Sequence, residues 1–185
     1  MTQLLRHPKI MKELQKEIRQ VWGDKSDMSE DDLDKMHYLK AVIKETLRLH
    51  PPIPLLVPRI SIKDVRINGY DIERGTQVFI NAWAIGRDPI LWEKPEEFLP
   101  ERFLNNSIDF KGHHFELIPF GSGRRICPGI LFAMKINELF LANLVHKFDW
   151  SLPGGAKQKD LDMNESFGLT IHKKSPLIAI ANPCS

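Results

Sequence analysis

Apolar residues recur at near-helical spacing from the start of the chain. In TQLLRHPKIMKELQKEIRQVW, Leu5, Ile10, Leu14, Ile18 and Val21 fall on one side of a helix. The pattern predicts a helix from about His7 to Trp22, with Pro8 tolerated in its opening turn and Gly23 and Asp24 as its stop. Ser29 and Asp32 have the spacing of a capping box, which predicts a short helix after them. In HYLKAVIKETLRLH, Leu39, Val42, Ile43, Thr46 and Leu47 share a face, and Pro51 and Pro52 end the element.

After the prolines the period shortens. Leu55–Arg59, Val65–Ile67 and Gln77–Ile80 read as short strands, with turns at Asn68–Gly69 and Arg74–Gly75. Strands this short cannot build a sandwich alone, so they are expected to form one small sheet attached to the helices. Trp83 reads as an aromatic on a core strand. Residues 86–119 lack periodicity, and a connection of that length is uncommon unless it is functional. A long helix is predicted from Gly129 to Phe148, with Phe132, Ala133, Ile136, Leu139, Phe140 and Leu144 inward. The end, Phe167 to Ile180, reads as a hairpin turning at Lys173–Pro176.

Composition narrows the function classes. The 185 residues suffice for one domain, and 42% hydrophobic with 27% charged residues is a globular mix. The 26 Lys and Arg are balanced by 24 acids and dispersed, so no basic stripe suited to nucleic acid is present. Two cysteines far apart, Cys127 and Cys184, do not make a disulfide scaffold. No run of 18 apolar residues occurs, and MTQLLRHPKI lacks the apolar centre of a signal peptide. The chain opens inside a helix, so a complete, naturally bounded domain is not expected.

The densest chemistry lies in FGSGRRICPG, residues 120–129. Cys127 precedes a predicted helix start, where unpaired N–H groups and the helix dipole favour a thiolate over a thiol. Gly121, Gly123 and Gly129 allow tight turns and close approach to something flat. Arg124 and Arg125 add positive charge that can fork onto carboxylates of a bound group. The same residues are also compatible with an inert loop thiol. No second Cys or spaced His suggests zinc, and His113 and His114 read as solvated loop residues.

Phe120, Gly123, Arg125, Cys127 and Gly129 match F-x-x-G-x-R-x-C-x-G, and on this basis the chain resembles the cytochrome P450 family, plant microsomal members above all. Glu45 and Arg48 match its E-x-x-R motif, and Pro100, Glu101, Arg102 and Phe103 match P-E-R-F. Spacing alone leaves Glu45–Arg48 open to a solvated ion pair of small worth. The resemblance implies instead a buried triad of Glu45, Arg48 and Arg102 that locks the cysteine loop. It also implies a mainly α fold with a small β-sheet, corresponding to the C-terminal part of the family fold from the J helix onward. Its parts are a helical J/K region (1–50), the small sheet (51–85), the meander and Cys loop (86–128), a long proximal helix (129–148) and a C-terminal hairpin (149–185).

By the same resemblance, Cys127 is the iron ligand of haem b. Arg125 and Arg59 meet haem propionates, Phe120 packs beside the sulfur, and Gly123 and Gly129 permit close approach. Ile53, Pro54, Leu55, Leu56 and Val57 face substrate, with Gly168, Leu169 and Thr170 as further contacts. The implied activity is insertion of one oxygen atom from O2 into a small lipophilic substrate. Electrons would come from NADPH–cytochrome P450 reductase at the endoplasmic reticulum membrane. The family's distal helix with its acid–alcohol pair has no match in these residues, and no membrane anchor is read. The chain alone is therefore expected to bind haem weakly or not at all and not to hydroxylate substrate, and no catalytic residue is assigned. Alternatives are a non-catalytic truncated fragment or pseudogene product, or a hydroperoxide-rearranging relative, for which the unbroken signature gives no support.

Overall fold

The computed structural model describes residues 1–23, 25 and 28–184. Its first elements are helices α1 (Thr2–Arg6) and α2 (Pro8–Trp22). They are separate because His7 precedes a proline, whose ring pushes it to φ −122, ψ 75. Gly23 ends α2 at φ 58, while Asp24, the other expected stop, lies outside the described residues. Helix α3 (Glu30–Asp34) carries the expected capping box, with Ser29 and Asp32 exchanging 3.2 Å bonds between side chain and backbone.

Helix α4 (His37–Leu49) buries Leu39, Val42 and Ile43 as its pattern predicts, whereas Thr46 and Leu47 are half-buried. It also buries Glu45 and Arg48 on another side, which periodicity of apolar residues cannot reveal. The proline-rich segment after it differs from expectation. Residues 53–56 are a turn, with Leu56 at φ 52 and its N–H donating to the Ile53 carbonyl at 3.1 Å. Pro54 and Pro58 lack the N–H donors a ladder needs, so the strand is only β1 (Arg59–Ile60).

β1 pairs antiparallel with β4 (Gln77–Val78), and β2 (Val65–Ile67) pairs with β3 (Tyr70–Ile72) about the predicted Asn68–Gly69 turn. Asn68 and Gly69 have φ 50 and 86, the left-handed pair a two-residue hairpin requires. These are two separate ribbons, not one sheet. Trp83 is not on a strand either: it lies on α5 (Ala82–Ile85), started by Asn81 accepting from the Ala84 N–H, with the Arg87 guanidinium 4.2 Å over its exposed ring.

Residues 86–119 have little regular structure but bury Trp92, Phe98, Phe103, Phe110, Leu117 and Ile118. Helix α6 (Ile130–Lys147) then packs on α2 and α4. Its inner residues are Ile130, Met134, Glu138, Ala142 and Val145, while Phe132 is 75% and Phe140 64% exposed. Of the residues expected to face inward, Phe132, Ile136, Leu139 and Phe140 are exposed and Ala133 and Leu144 only half-buried. Apolar residues occur all round this helix, so spacing cannot choose the buried stripe; small Ala142 and Val145 allow the close approach to the other helices.

The chain closes with β5 (Phe148–Ser151) paired to β8 (Ile180–Pro183), and β6 (Glu165–Ser166) paired to β7 (His172–Lys173). The turn lies at residues 167–171 instead of Lys173–Pro176, because Lys174 still bonds across to Asn164 at 2.7 Å. The structure is therefore helix-rich with small paired strands. Among the described residues, no helix is long and apolar enough to cross a membrane.

Candidate functional site

The three motif side chains Glu45, Arg48 and Arg102 meet. Glu45 is 0% and Arg48 1% exposed, three residues apart on α4. Arg48 forks onto Glu45, with Nε donating to Oε2 at 2.7 Å and Nη2 to Oε1 at 2.8 Å. Its remaining donors reach the carbonyls of Gly86, Pro95 and Glu97 at 2.5, 2.7 and 3.0 Å, so all five guanidinium protons are used. Arg102 Nε and the Leu99 N–H also donate to Glu45 Oε1, at 3.1 and 2.8 Å. The Trp92 ring lies beside both guanidiniums, 5.2 Å from Arg48 and 5.8 Å from Arg102. This network ties the irregular segment to α4. Among the described residues, its hydrogen bonds outside the triad end on residues 86–99.

The cysteine loop has its own supports. The Cys127 N–H donates to the Phe120 carbonyl at 3.1 Å, and Ile126 closes a single tight turn onto Gly123 at 3.0 Å. Gly123 sits at φ 74, a conformation that a side chain disfavours. Phe120 packs edge-on to Phe110 at 5.9 Å. Cys127 is a free, exposed thiol three positions before α6, and a Cβ on Gly129 would come within 3.9 Å of its sulfur.

Sequence reasoning missed Gly112. Its carbonyl accepts from Ser122 Oγ at 2.6 Å, it has φ 85, and an added Cβ would stand 2.7 Å from Ile126 Cδ1. The lone glycine in an aperiodic segment gave no signal. Gly112→Ala is expected to destabilise the chain by about 1–3 kcal/mol through strain and overpacking. Urea unfolding of the variant checks this, with an unchanged midpoint as the contrary result.

Between the loop and residues 52–62 lies an open cleft of about 1330 Å³. Ile53, Leu56 and Val57 form part of its apolar wall, and Phe120, Arg125 and Cys127 lie on the loop side. Arg59 enters from β1 and donates through Nη2 to the Arg125 carbonyl at 3.1 Å. Among the described residues, Arg59, Arg124 and Arg125 have no carboxylate partner in an ion pair. Leu55 does not line the cleft; its carbonyl accepts from the Ile80 N–H. Leu169 and Thr170 lie outside it too, at a hairpin tip whose Ile171 N–H donates to the Pro52 carbonyl at the cleft's edge. His113 is exposed, and His114 Nδ1 accepts from the Asp109 N–H, so neither faces the cleft.

An exposed thiol, an apolar wall and guanidiniums without counter-anions suit a flat, largely apolar group bearing carboxylates and a thiolate-seeking metal. Haem fits that description.

The profile of the family described as Cytochrome P450 matches residues 1–179. The chain is 67% identical over 184 residues to "Cytochrome P450 736A117" of Prunus mume, covering 99% of this chain and 36% of that protein. It is 59% identical over 180 residues to psoralen synthase of Ammi majus, covering 97% and 36% respectively. A zebra fish cytochrome P450 solved with abiraterone superposes with a TM-score of 0.87 at 30% identity, covering 100% of this chain and 43% of that one. The chain thus spans little more than a third of the length of these curated relatives.

Proposed function

Because the chain belongs to the cytochrome P450 family, we propose that its cleft is the haem-ligating side of a haem-thiolate monooxygenase. The observation that carries this reading is the exposed Cys127 thiol on a glycine-bearing loop, facing a cleft with unpaired guanidiniums. Cys127 Sγ would hold the iron. Arg125 and Arg59 would hold the two propionates, their charge and forked donors matching carboxylates. Phe120 would pack beside the sulfur, and Gly123 and Gly129 would leave room for the macrocycle. When bound, haem supplies oxygen activation and insertion of one oxygen atom, chemistry that no side chain here performs.

Ile53, Leu56 and Val57 present an apolar surface on the far side of the cleft, suited to small lipophilic substrates. The name of the psoralen synthase relative is compatible with that class. Leu55, Leu169 and Thr170 do not line the cleft and form no part of that surface. NADPH–cytochrome P450 reductase as electron donor and an endoplasmic reticulum location belong to the same proposal and rest on family membership. The cleft is open to solvent, so turnover by this chain alone is not expected. An open cleft cannot exclude water from reactive species.

The test grafts this chain in place of the matching segment of the Prunus mume protein. The reduced carbon monoxide difference spectrum of the chimera is expected to show a thiolate-type band. A folded chimera that takes up haem without that band would overturn the proposal.

A further inference from the structure

Ser122 stands immediately before the tight turn Gly123–Arg125, where a serine hydroxyl ordinarily accepts from the backbone N–H groups that follow it. Here it caps nothing. Its Oγ donates instead to the Gly112 carbonyl at 2.6 Å, ten residues back along the chain and partly shielded from water. Gly112 meets the far end of the same turn as well, because a Cβ there would stand 2.7 Å from Ile126 Cδ1. Both ends of the turn that carries Arg124 and Arg125 therefore rest on one residue.

That seat is itself held. Lys44 of α4 donates through Nζ to the Ile108 carbonyl at 2.7 Å, and buried Phe110 meets Phe120 edge-on. The Asp109 N–H donates to His114 Nδ1 at 3.0 Å, which closes a small loop around Gly112. The cysteine loop has few other ties. Among the described residues, Ser122 is the one side chain of residues 120–129 that makes a hydrogen bond. The other hydrogen bond from a distant segment is that of Arg59 to the Arg125 carbonyl, and this exposed guanidinium is the one assigned above to a propionate. Cys127 is bonded through its backbone N–H only, so the loop's backbone sets where its sulfur lies.

We propose that Ser122 is a positioning residue: its bond to Gly112 seats the cysteine loop on residues 108–114 and so holds Cys127 Sγ towards the cleft. The purpose given to the seat rests on the proposed haem site, whereas the seat itself is a property of this chain. Without the hydroxyl, the Gly112 carbonyl loses its donor and the turn keeps only the Ile126 packing. The loop then samples more arrangements, of which only some present the sulfur to a metal; groups that orient a ligand govern how firmly the metal is held.

Hydrogen–deuterium exchange on the 185-residue chain tests the seat without haem. In Ser122→Ala, protection of the Ile126 and Cys127 amides is expected to fall about fivefold, the scale of one lost hydrogen bond, with α4 unchanged. Ser122→Thr keeps the hydroxyl on an extended backbone, φ −150 and ψ 165, that suits a β-branched residue, and is expected to retain the protection. Unchanged protection at 126 and 127 in Ser122→Ala, or a loss that extends equally through α4, overturns the proposal. In the chimera, a smaller share of the bound haem is expected to give the thiolate-type carbon monoxide band in Ser122→Ala, and Ser122→Thr restores it. An alanine chimera with the parent's share of that band overturns the positioning of Cys127. Because exchange needs no haem, it decides the seat even where the parent chimera lacks the band and the proposed function fails.

Discussion

Arg48→Ala is expected to destabilise the chain by about 3–5 kcal/mol, the range for removing one partner of a buried ion pair. A whole domain commonly has only about 5–15 kcal/mol in hand. The loss has three parts. Glu45 stays fully buried with its negative charge, keeping only the Leu99 N–H and Arg102. The carbonyls of Gly86, Pro95 and Glu97 lose their shared donor. A cavity opens beside Trp92. Because the network ties residues 86–99 to α4, that segment should lose exchange protection first. Urea unfolding of the single variants and of Glu45→Leu/Arg48→Met measures the coupling. The double variant should lose much less than the sum of the singles, since it removes both charges together. An Arg48→Ala midpoint within the range of surface substitutions would show that the pair contributes nothing.

Cys127→Ser in the chimera described above is expected to abolish the thiolate-type carbon monoxide band entirely, while the unfolding free energy of this chain, measured in urea, changes by less than about 0.5 kcal/mol. The two readouts separate because Cys127 is exposed and its only described hydrogen bond is through the backbone, to the Phe120 carbonyl. A serine keeps that bond but offers a poor ligand in place of a soft thiolate. A serine variant with the same band as the parent would remove Cys127 from the metal-ligand role. A large drop in stability would instead assign the thiol to packing.

Much of the site was legible along the chain. The spacing of the cysteine loop depends on covalent separation: Phe120 and Cys127 are seven residues apart in any conformation, and their backbone bond closes that loop. The capping box at Ser29–Asp32 and the Asn68–Gly69 turn were equally readable, since each satisfies its hydrogen bonds or backbone angles within four residues. Glu45 and Arg48 share a helical face by spacing, but their burial depends on carbonyls 38 to 49 positions later than Arg48.

What failed has a common cause. Gly112 matters because its backbone sits at φ 85 and because Ser122 and Ile126 fold over it. The turn at residues 53–56 replaces the start of a strand because neighbouring prolines remove donors, although the apolar run reads as extended. Leu55 is separated from Ile53, Leu56 and Val57 by that turn, which decides who faces the cleft.

The sequence by itself determined the helical framework, the local turns, the thiol with its glycines and arginines, and the family. Only the tertiary structure decided which side of α6 is buried, that four strand pairs form separate ribbons, and that Ser122 bonds to Gly112. The difference is one of range. Capping, turn geometry and helical spacing are satisfied between residues a few positions apart, so they can be read along the chain. Burial and long-range pairing depend on which distant surfaces compete for the same face, and α6, apolar all round, leaves that choice to its neighbours.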